Sequence, residues 1–243
     1  MILKLQEHLD WQGAIMKNKF EKKIILVIVE GPSDETALGR CLRAIFSSEE
    51  VAVKVMFCDI TTVEDNFCDD ISARVGNVIN DYLNENPGLR RDDILRVIHI
   101  VDTDGAFLSD KFILKHSVRE TVYSEEEIKT YNVRSFIRTR NNKKRNLKLL
   151  FGKKKINGIA YNIYYMSCNL EHALHGKINC SDWQKRLLSE AFDDEYGDDV
   201  EKFKKFICES CFSVIDPYDK SWIFIQQGKE SLKRHTNIGL CWR

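Results

Sequence analysis

The chain has 243 residues, and its 37 Lys and Arg balance 37 Asp and Glu to a formal net charge of zero. A hydrophobic share of 43% with 30% charged residues excludes a disordered chain, and 3 Pro with 12 Gly exclude collagen-like or linker-dominated ones. The longest strongly apolar run, Ile24 to Val29, falls far short of the roughly 20 residues a membrane span needs, so no membrane association is expected.

Residues 1–21 read as a helical lead-in that mixes charge and hydrophobes and has no signal-peptide core. Lys23 to Val29 is a continuous aliphatic run, which suits a strand buried on both faces. It stops at Glu30-Gly31-Pro32-Ser33. A helix follows over Asp34 to Phe46, with Ser33 as its expected N-cap. A second strand is predicted at Val51 to Phe57, an acidic loop at Asp59 to Asp70, and a helix at Ile71 to Leu83. The third strand, Val97 to Val101, runs into Asp102-Thr103-Asp104-Gly105.

Beyond it, a short strand is expected at Val133 to Arg138, inside a basic stretch that closes at Lys153-Lys154-Lys155. A strand at Tyr161 to Met166 leads into a helix at Leu170 to His175. Helices are expected at Trp183 to Phe192 and Val200 to Phe212, and a short strand near Trp222 to Ile225. Alternating strands and helices indicate an α/β fold: a Rossmann-like, mostly parallel sheet flanked by helices. The expected organisation is one α/β domain over 22–176 with a basic insertion near 107–160. A helical C-terminal extension over 177–243 packs on the same domain. Eight Cys at irregular spacing read as reduced, mostly buried thiols of a cytoplasmic protein.

Both buried strands end in carboxylates, Glu30 on the first and Asp102 and Asp104 on the third. Ligands of open α/β sheets gather outside the carboxyl ends of the strands. Asp102 and Asp104, two apart on extended backbone, would project to one side, and Asp34 lies in the first turn of the following helix. Carboxylates gathered at one edge repel one another unless a cation joins them, and oxygen-only donors suit Mg²⁺ or Mn²⁺.

Val29-Glu30-Gly31-Pro32-Ser33-Asp34-Glu35, followed later by Val101-Asp102-Thr103-Asp104-Gly105, resembles the TOPRIM domain of topoisomerases, primases, ribosomal-RNA maturases and OLD-family nucleases. The Glu-Gly-x-x-Asp form is most similar to OLD-family and small stand-alone TOPRIM nucleases. That resemblance implies a TOPRIM-like fold and a metal-dependent nuclease acting on DNA or RNA, including transfer RNA. It makes Asp102 and Asp104 the principal metal ligands and Glu30 a general base or ligand. Asp34 and Glu171, the latter in Asn169-Leu170-Glu171, complete a two-ion clamp of Mg²⁺ or Mn²⁺. A late basic residue near the scissile phosphate falls to Lys233 or Arg234. No Walker A sequence appears, so any ATPase would be a separate partner, and bacterial anti-phage defence is the implied setting. An oligomer is compatible with all of this.

Ten basic residues and no acidic one lie between Arg134 and Lys155. Arg138, Arg140, Lys143, Lys144, Arg145, Lys148, Lys153, Lys154 and Lys155 are the candidate contacts to a phosphate backbone, and the bland alternative is a solvated face. Phe136 and Phe151 within the stretch read as base-stacking or core residues. His99 and Trp222 read as core, and Cys208-x-x-Cys211 lacks the further ligands of a zinc site. Asp193 to Glu201 is an acidic stretch that reads as a partner-docking or self-inhibiting surface. Two other readings stay open. Asp102-Thr103-Asp104-Gly105 also resembles the motif of haloacid-dehalogenase-like phosphatases, although Ala106 stands where Thr is usual. A non-catalytic TOPRIM module that binds nucleic acid or a protein partner is the other.

Overall fold

The computed structural model describes residues 22–48, 51–58, 60–61 and 70–243. The predicted lead-in over 1–21 and most of the predicted acidic loop lie outside the described residues. In chain order the elements are β1 (Lys23–Val29), α1 (Pro32–Phe46), β2 (Val51–Phe57), α2 (Ile71–Glu85) and β3 (Ile94–Asp102). Three short strands follow, β4 (Ile113–Lys115), β5 (Val122–Tyr123) and β6 (Ile128–Thr130), then α3 (Val133–Phe151), β7 (Lys155–Ile156) and β8 (Ile159–Met166). The chain continues through α4 (Leu170–His175), α5 (Asp182–Tyr196), α6 (Val200–Glu209) and α7 (Tyr218–Ile225).

The main sheet has the order β2-β1-β3-β8-β7, with β2, β1, β3 and β8 parallel and the short β7 antiparallel at the edge. This is an α/β architecture with a mostly parallel sheet flanked by helices. Period-two alternation sends successive residues of each strand to opposite faces. Ile24, Leu26 and Ile28 of β1 pack with Val97 and Val101 of β3 and with α2, α3 and α7, through Val75, Leu147 and Trp222 among others. Ile25, Val27 and Val29 pack with Ile98 and Ile100 against α1, α4, α5 and α6, through Leu38, Leu170, Phe192 and Phe203. Both faces are therefore covered, as a continuous aliphatic strand requires. The C-terminal helices add Phe192, Tyr196, Phe203 and Ile207 to the second of these clusters.

Four local expectations are corrected. Val133 to Arg138 is the first part of α3, not a strand. Asn132 Oδ1 accepts from the Ser135 N–H at 3.1 Å to start the helix, and Val133, Phe136 and Ile137 pack at helical spacing on Leu108, Ile113, Ile128 and Leu232. Trp222 to Ile225 lies in α7, where Tyr218, Trp222 and Ile225 share one face; Trp222 Nε1 donates to the Ile163 carbonyl at 3.2 Å. Short runs of aromatic and β-branched residues fit either period, and the longer helical pattern decides both cases. The N-cap of α1 is Gly31 rather than Ser33, because Pro32 takes the first helical position, where its missing N–H costs nothing. Helix α6 stops at Glu209, which leaves Cys211 exposed beyond its end.

The region between β3 and β8 also builds a second sheet that the sequence pattern did not announce. Its order is β4-β6-β5, and it rests on α3. No disulfide forms among the described residues, where Cys41, Cys168 and Cys241 are buried thiols and Cys58, Cys180, Cys208 and Cys211 are more accessible. No described helix is long and apolar enough to cross a membrane.

Candidate functional site

The carboxyl ends of β1, β3 and β8 lie side by side because these strands are neighbours in register. Glu30 follows β1, Asp102 ends β3, and the segment after β8 enters α4, which carries Glu171. Two backbone crossings hold these ends together. The Thr103 N–H donates to the Met166 carbonyl at 3.0 Å, and the Asp104 N–H donates to the Cys168 carbonyl at 2.8 Å. Thr103 Oγ1 accepts from the Cys168 N–H at 2.8 Å and donates to the Ser231 carbonyl at 3.0 Å.

The chain does not stay extended through the Asp-x-Asp motif. Asp104 has φ +46° and Gly105 φ +63°, so the backbone turns through the left-handed region there. Asp104 is thereby swung towards α3. A Cβ at Gly105 would stand 2.8 Å from both Ile128 and Leu232, so this turn both needs and fits glycine.

Alternation along the strands divides the acids between the two faces of the sheet. Glu30 continues the face of Ile28, against which α3 packs, and α3 delivers Lys143. Lys143 is 3% exposed; its ammonium donates to Glu30 Oε2 at 3.1 Å and to Asp104 Oδ2. The other oxygen of Glu30 accepts from Thr61 Oγ1 at 2.6 Å, and Asn146 Nδ2 holds the Thr61 carbonyl at 3.1 Å. Thr61 and Asn146 are both buried, so Glu30 is fixed from two sides. Burial alone would lower the Lys143 pKa, but Asp104, Glu30 and Asp102 hold it well above the usual lysine value.

Asp102 continues the opposite face, the one covered by α1, α4 and α5. There Asp34 Oδ2 accepts from the Gly31 N–H at 2.9 Å, at the N-terminus of α1. Glu171 is 2% exposed; one oxygen stands 3.9 Å from Lys185 Nζ of α5, and the buried Oε1 has no hydrogen-bond partner among the described residues. Burial pushes Asp34 up to about 6, with Glu171 adding to the rise against the Gly31 N–H and Lys185. Burial also raises Asp102 well above the carboxylate range, reinforced by Asp34, Glu30 and Asp104. Lys185 is held above its usual value by Glu171, Asp102, Asp34 and Asp104 against its own desolvation.

Five acids with two ammonium groups form an oxygen-rich, electron-rich centre, and the unpartnered Glu171 Oε1 is the kind of buried acceptor a hard cation would satisfy. These residues fit Mg²⁺ or Mn²⁺ chemically. No group of three or more His, Cys, Asp or Glu side chains stands ready to hold an ion among the described residues, so an entering ion would have to draw carboxylates together.

The remaining candidates separate clearly. Lys233 stands outside this group: its ammonium bonds Glu230 at 2.7 Å, and that bond with Glu230 raises its pKa. Arg234 donates to the carbonyls of Ala173 at 2.9 Å and Leu174 at 2.6 Å, which closes the C-terminus of α4. In the basic stretch, Arg140 and Lys143 turn inward rather than towards solvent. Arg140 is 5% exposed and bonds the Leu108 carbonyl and Asp110, so neither serves as an outer phosphate contact. Lys144, Arg145 and Lys148 line a surface groove with Asn141 and Leu149, and Arg138 is exposed on the same helix. Lys153 and Lys154 stand 3.9 Å from Asp70 and Asp219 respectively, and Lys155 is exposed on β7. Phe151 stacks on Trp222 at 5.3 Å and belongs to the core; Phe136 meets Tyr123 edge-on.

Sequence reasoning named Lys143 only as a contact to a phosphate backbone, and missed Thr61, Asn146 and Lys185 as parts of the site. Tyr123 of β5 feels the same charges: burial, reinforced by Asp104, pushes its hydroxyl far up. A helical reading of 133–151 would have set Lys143 and Asn146 on the face of Leu147 and Leu150, the one signal available for them. Compared with protein-family models, with curated proteins and with solved structures, the chain matches none.

Proposed function

We propose that the chain is a metal-dependent nuclease of TOPRIM type that hydrolyses phosphodiester bonds in DNA or RNA. The observation that supports this reading best is the convergence of Glu30, Asp34, Asp102, Asp104 and Glu171 at the carboxyl edge of a parallel sheet, in the order and context of the Glu-Gly and Asp-x-Asp motifs.

In this reading Asp34, Asp102, Asp104 and Glu171 would hold Mg²⁺ or Mn²⁺. The ion supplies a lowered pKa for bound water and a counter-charge for a phosphoryl oxygen. Glu30, fixed by Thr61 and Asn146, is oriented to accept a proton from the attacking water. Lys143 replaces Lys233 as the cation near the reacting phosphate, because a buried ammonium among carboxylates is placed to stabilise negative charge that grows there. Lys144, Arg145 and Lys148 would carry the backbone beyond the cut, from the outer side of the same helix. A cytoplasmic setting and a defence role with a separate ATPase extend the reading through the resemblance alone.

The test is a cleavage panel of supercoiled plasmid, single-stranded DNA, total transfer RNA and a chromogenic phosphate monoester. Each is run with Mg²⁺, Mn²⁺ or EDTA, using wild type, Asp102→Ala and Glu30→Gln. Metal-dependent cutting of a nucleic acid that both substitutions abolish is the expected result. Monoester hydrolysis that needs Asp102 and tolerates Glu30→Gln would overturn it in favour of a phosphatase.

A further inference from the structure

Lys143 and the sheet alternation together divide the acidic centre into two unequal halves. On the α3 side, Glu30 and Asp104 already share a cation, the Lys143 ammonium, which is 3% exposed and hydrogen-bonded to both. On the α1 side, no ammonium among the described residues hydrogen-bonds Asp34, Asp102 or Glu171. Lys185 comes nearest to Glu171, at 3.9 Å, beyond hydrogen-bond reach, and acts on Asp34 and Asp102 only through space; Glu171 Oε1 is buried with no hydrogen-bond partner among the described residues.

We infer that the centre takes a single divalent cation, held by Asp34, Asp102 and Glu171, and that Lys143 fills the place of a second ion beside Glu30 and Asp104. This rests on the metal-dependent reading above; it narrows the two-ion clamp that the resemblance implies to one ion, and it takes Asp104, already bonded to Lys143, out of the ligand set. A lysine suits the role because its charge stays in place without exchange with solvent ions, while its side chain is buried on the α3 face that Leu147 and Leu150 set into the core. The two halves also differ in how they can respond. An ion approaching Glu30 and Asp104 must displace a buried ammonium that already satisfies both acids. An ion approaching Glu171 gives a partner to an oxygen that lacks one. Lys185, half-exposed on α5, has room to withdraw as the ion enters.

The experiment counts bound Mn²⁺ by loss of the free-ion electron paramagnetic resonance signal on titration of the purified chain. Wild type should bind one ion. Glu171→Gln and Asp34→Asn should weaken that binding at least tenfold, whereas Glu30→Gln should change it less than threefold. Lys143→Gln should admit a second ion. Circular dichroism establishes that each variant is folded, and the wild-type count decides the matter even if Lys143→Gln does not fold. Two ions of similar affinity in wild type, or loss of binding in Glu30→Gln as severe as in Glu171→Gln, would overturn the single-ion arrangement and leave the metal-dependent reading standing. No bound ion at millimolar Mn²⁺ would overturn both.

Discussion

Lys143 Nζ stands 3.1 Å from Glu30 Oε2 and also bonds Asp104, so a helix from the middle of the chain neutralises acids at the ends of two different strands. Removing one partner of a buried ion pair leaves the other charge uncompensated. Lys143→Met should therefore destabilise the fold by about 3 kcal/mol, the low end for a buried pair because Asp104 is partly exposed. Urea unfolding in EDTA checks this through a lower midpoint at unchanged slope. An unchanged midpoint would contradict the placement of the ammonium.

Thr61 acts through Glu30. Its hydroxyl donates at 2.6 Å to a carboxylate oxygen, and Asn146 holds its carbonyl. Thr61→Val keeps the shape and removes the donor. If Glu30 works as proposed, cleavage should fall roughly tenfold or more with little loss of stability, in line with other groups that orient a reacting residue. Rates equal to wild type would show that Glu30 needs no such support.

Gly105 sits at φ +63° with Ile128 and Leu232 each 2.8 Å from where a Cβ would be. Gly105→Ala combines left-handed strain with overpacking and should cost about 2–4 kcal/mol. Thermal unfolding measures it; a neutral substitution would mean that the turn relaxes freely.

How much of this was legible in the sequence differs from element to element. The aliphatic runs at 23–29 and 97–101 specify strands buried on both faces, and Glu30, Asp102 and Asp104 then fall at one edge by parallel register. Asp34 and Glu171 join them because each lies in the first turn of a helix that starts at that edge. Lys143 was legible as a candidate phosphate contact but not as the partner of Glu30 and Asp104. Of the ten basic residues, Arg140 and Lys143 turn inward, and the spacing of Lys143 to Leu147 and Leu150 marks it only once 133–151 is read as a helix. Val133 to Arg138 and Trp222 to Ile225 misled for a related reason, since short segments rich in aromatic and β-branched residues fit both the strand and the helix period.

His99 supplies a dependence on pH. It is fully buried, bonds Tyr161 through Nδ1 at 2.7 Å, and has no partner for Nε2 among the described residues. Burial, with a smaller effect from Lys143, pulls its pKa down to about 3. The unfolded chain takes up this proton near pH 6.5 and the folded chain does not. The contribution is thus fully present above about pH 6.5 and is lost as pH falls towards 3, by roughly 1.4 kcal/mol per unit. The stability difference between wild type and His99→Gln should shift by about 2 kcal/mol against wild type from pH 7 to pH 5. A difference independent of pH would contradict a neutral, buried imidazole.

The outer cations of α3 are expected to contact phosphates. Replacing Lys144, Arg145 and Lys148 together by Gln should weaken nucleic-acid binding and reduce the slope of log affinity against log salt by about 2–3. Fluorescence anisotropy across a salt series reads both, and an unchanged slope would move the interface elsewhere.

The most direct test of the proposed chemistry follows cleavage of plasmid and transfer RNA as Mn²⁺ is titrated into metal-free protein, for wild type and Asp102→Ala side by side. The account predicts cutting of at least one nucleic acid that appears with Mn²⁺, stops with EDTA and is absent in Asp102→Ala. Cutting that persists in EDTA or in Asp102→Ala, or a wild-type chain that neither cuts nor binds Mn²⁺, would contradict it.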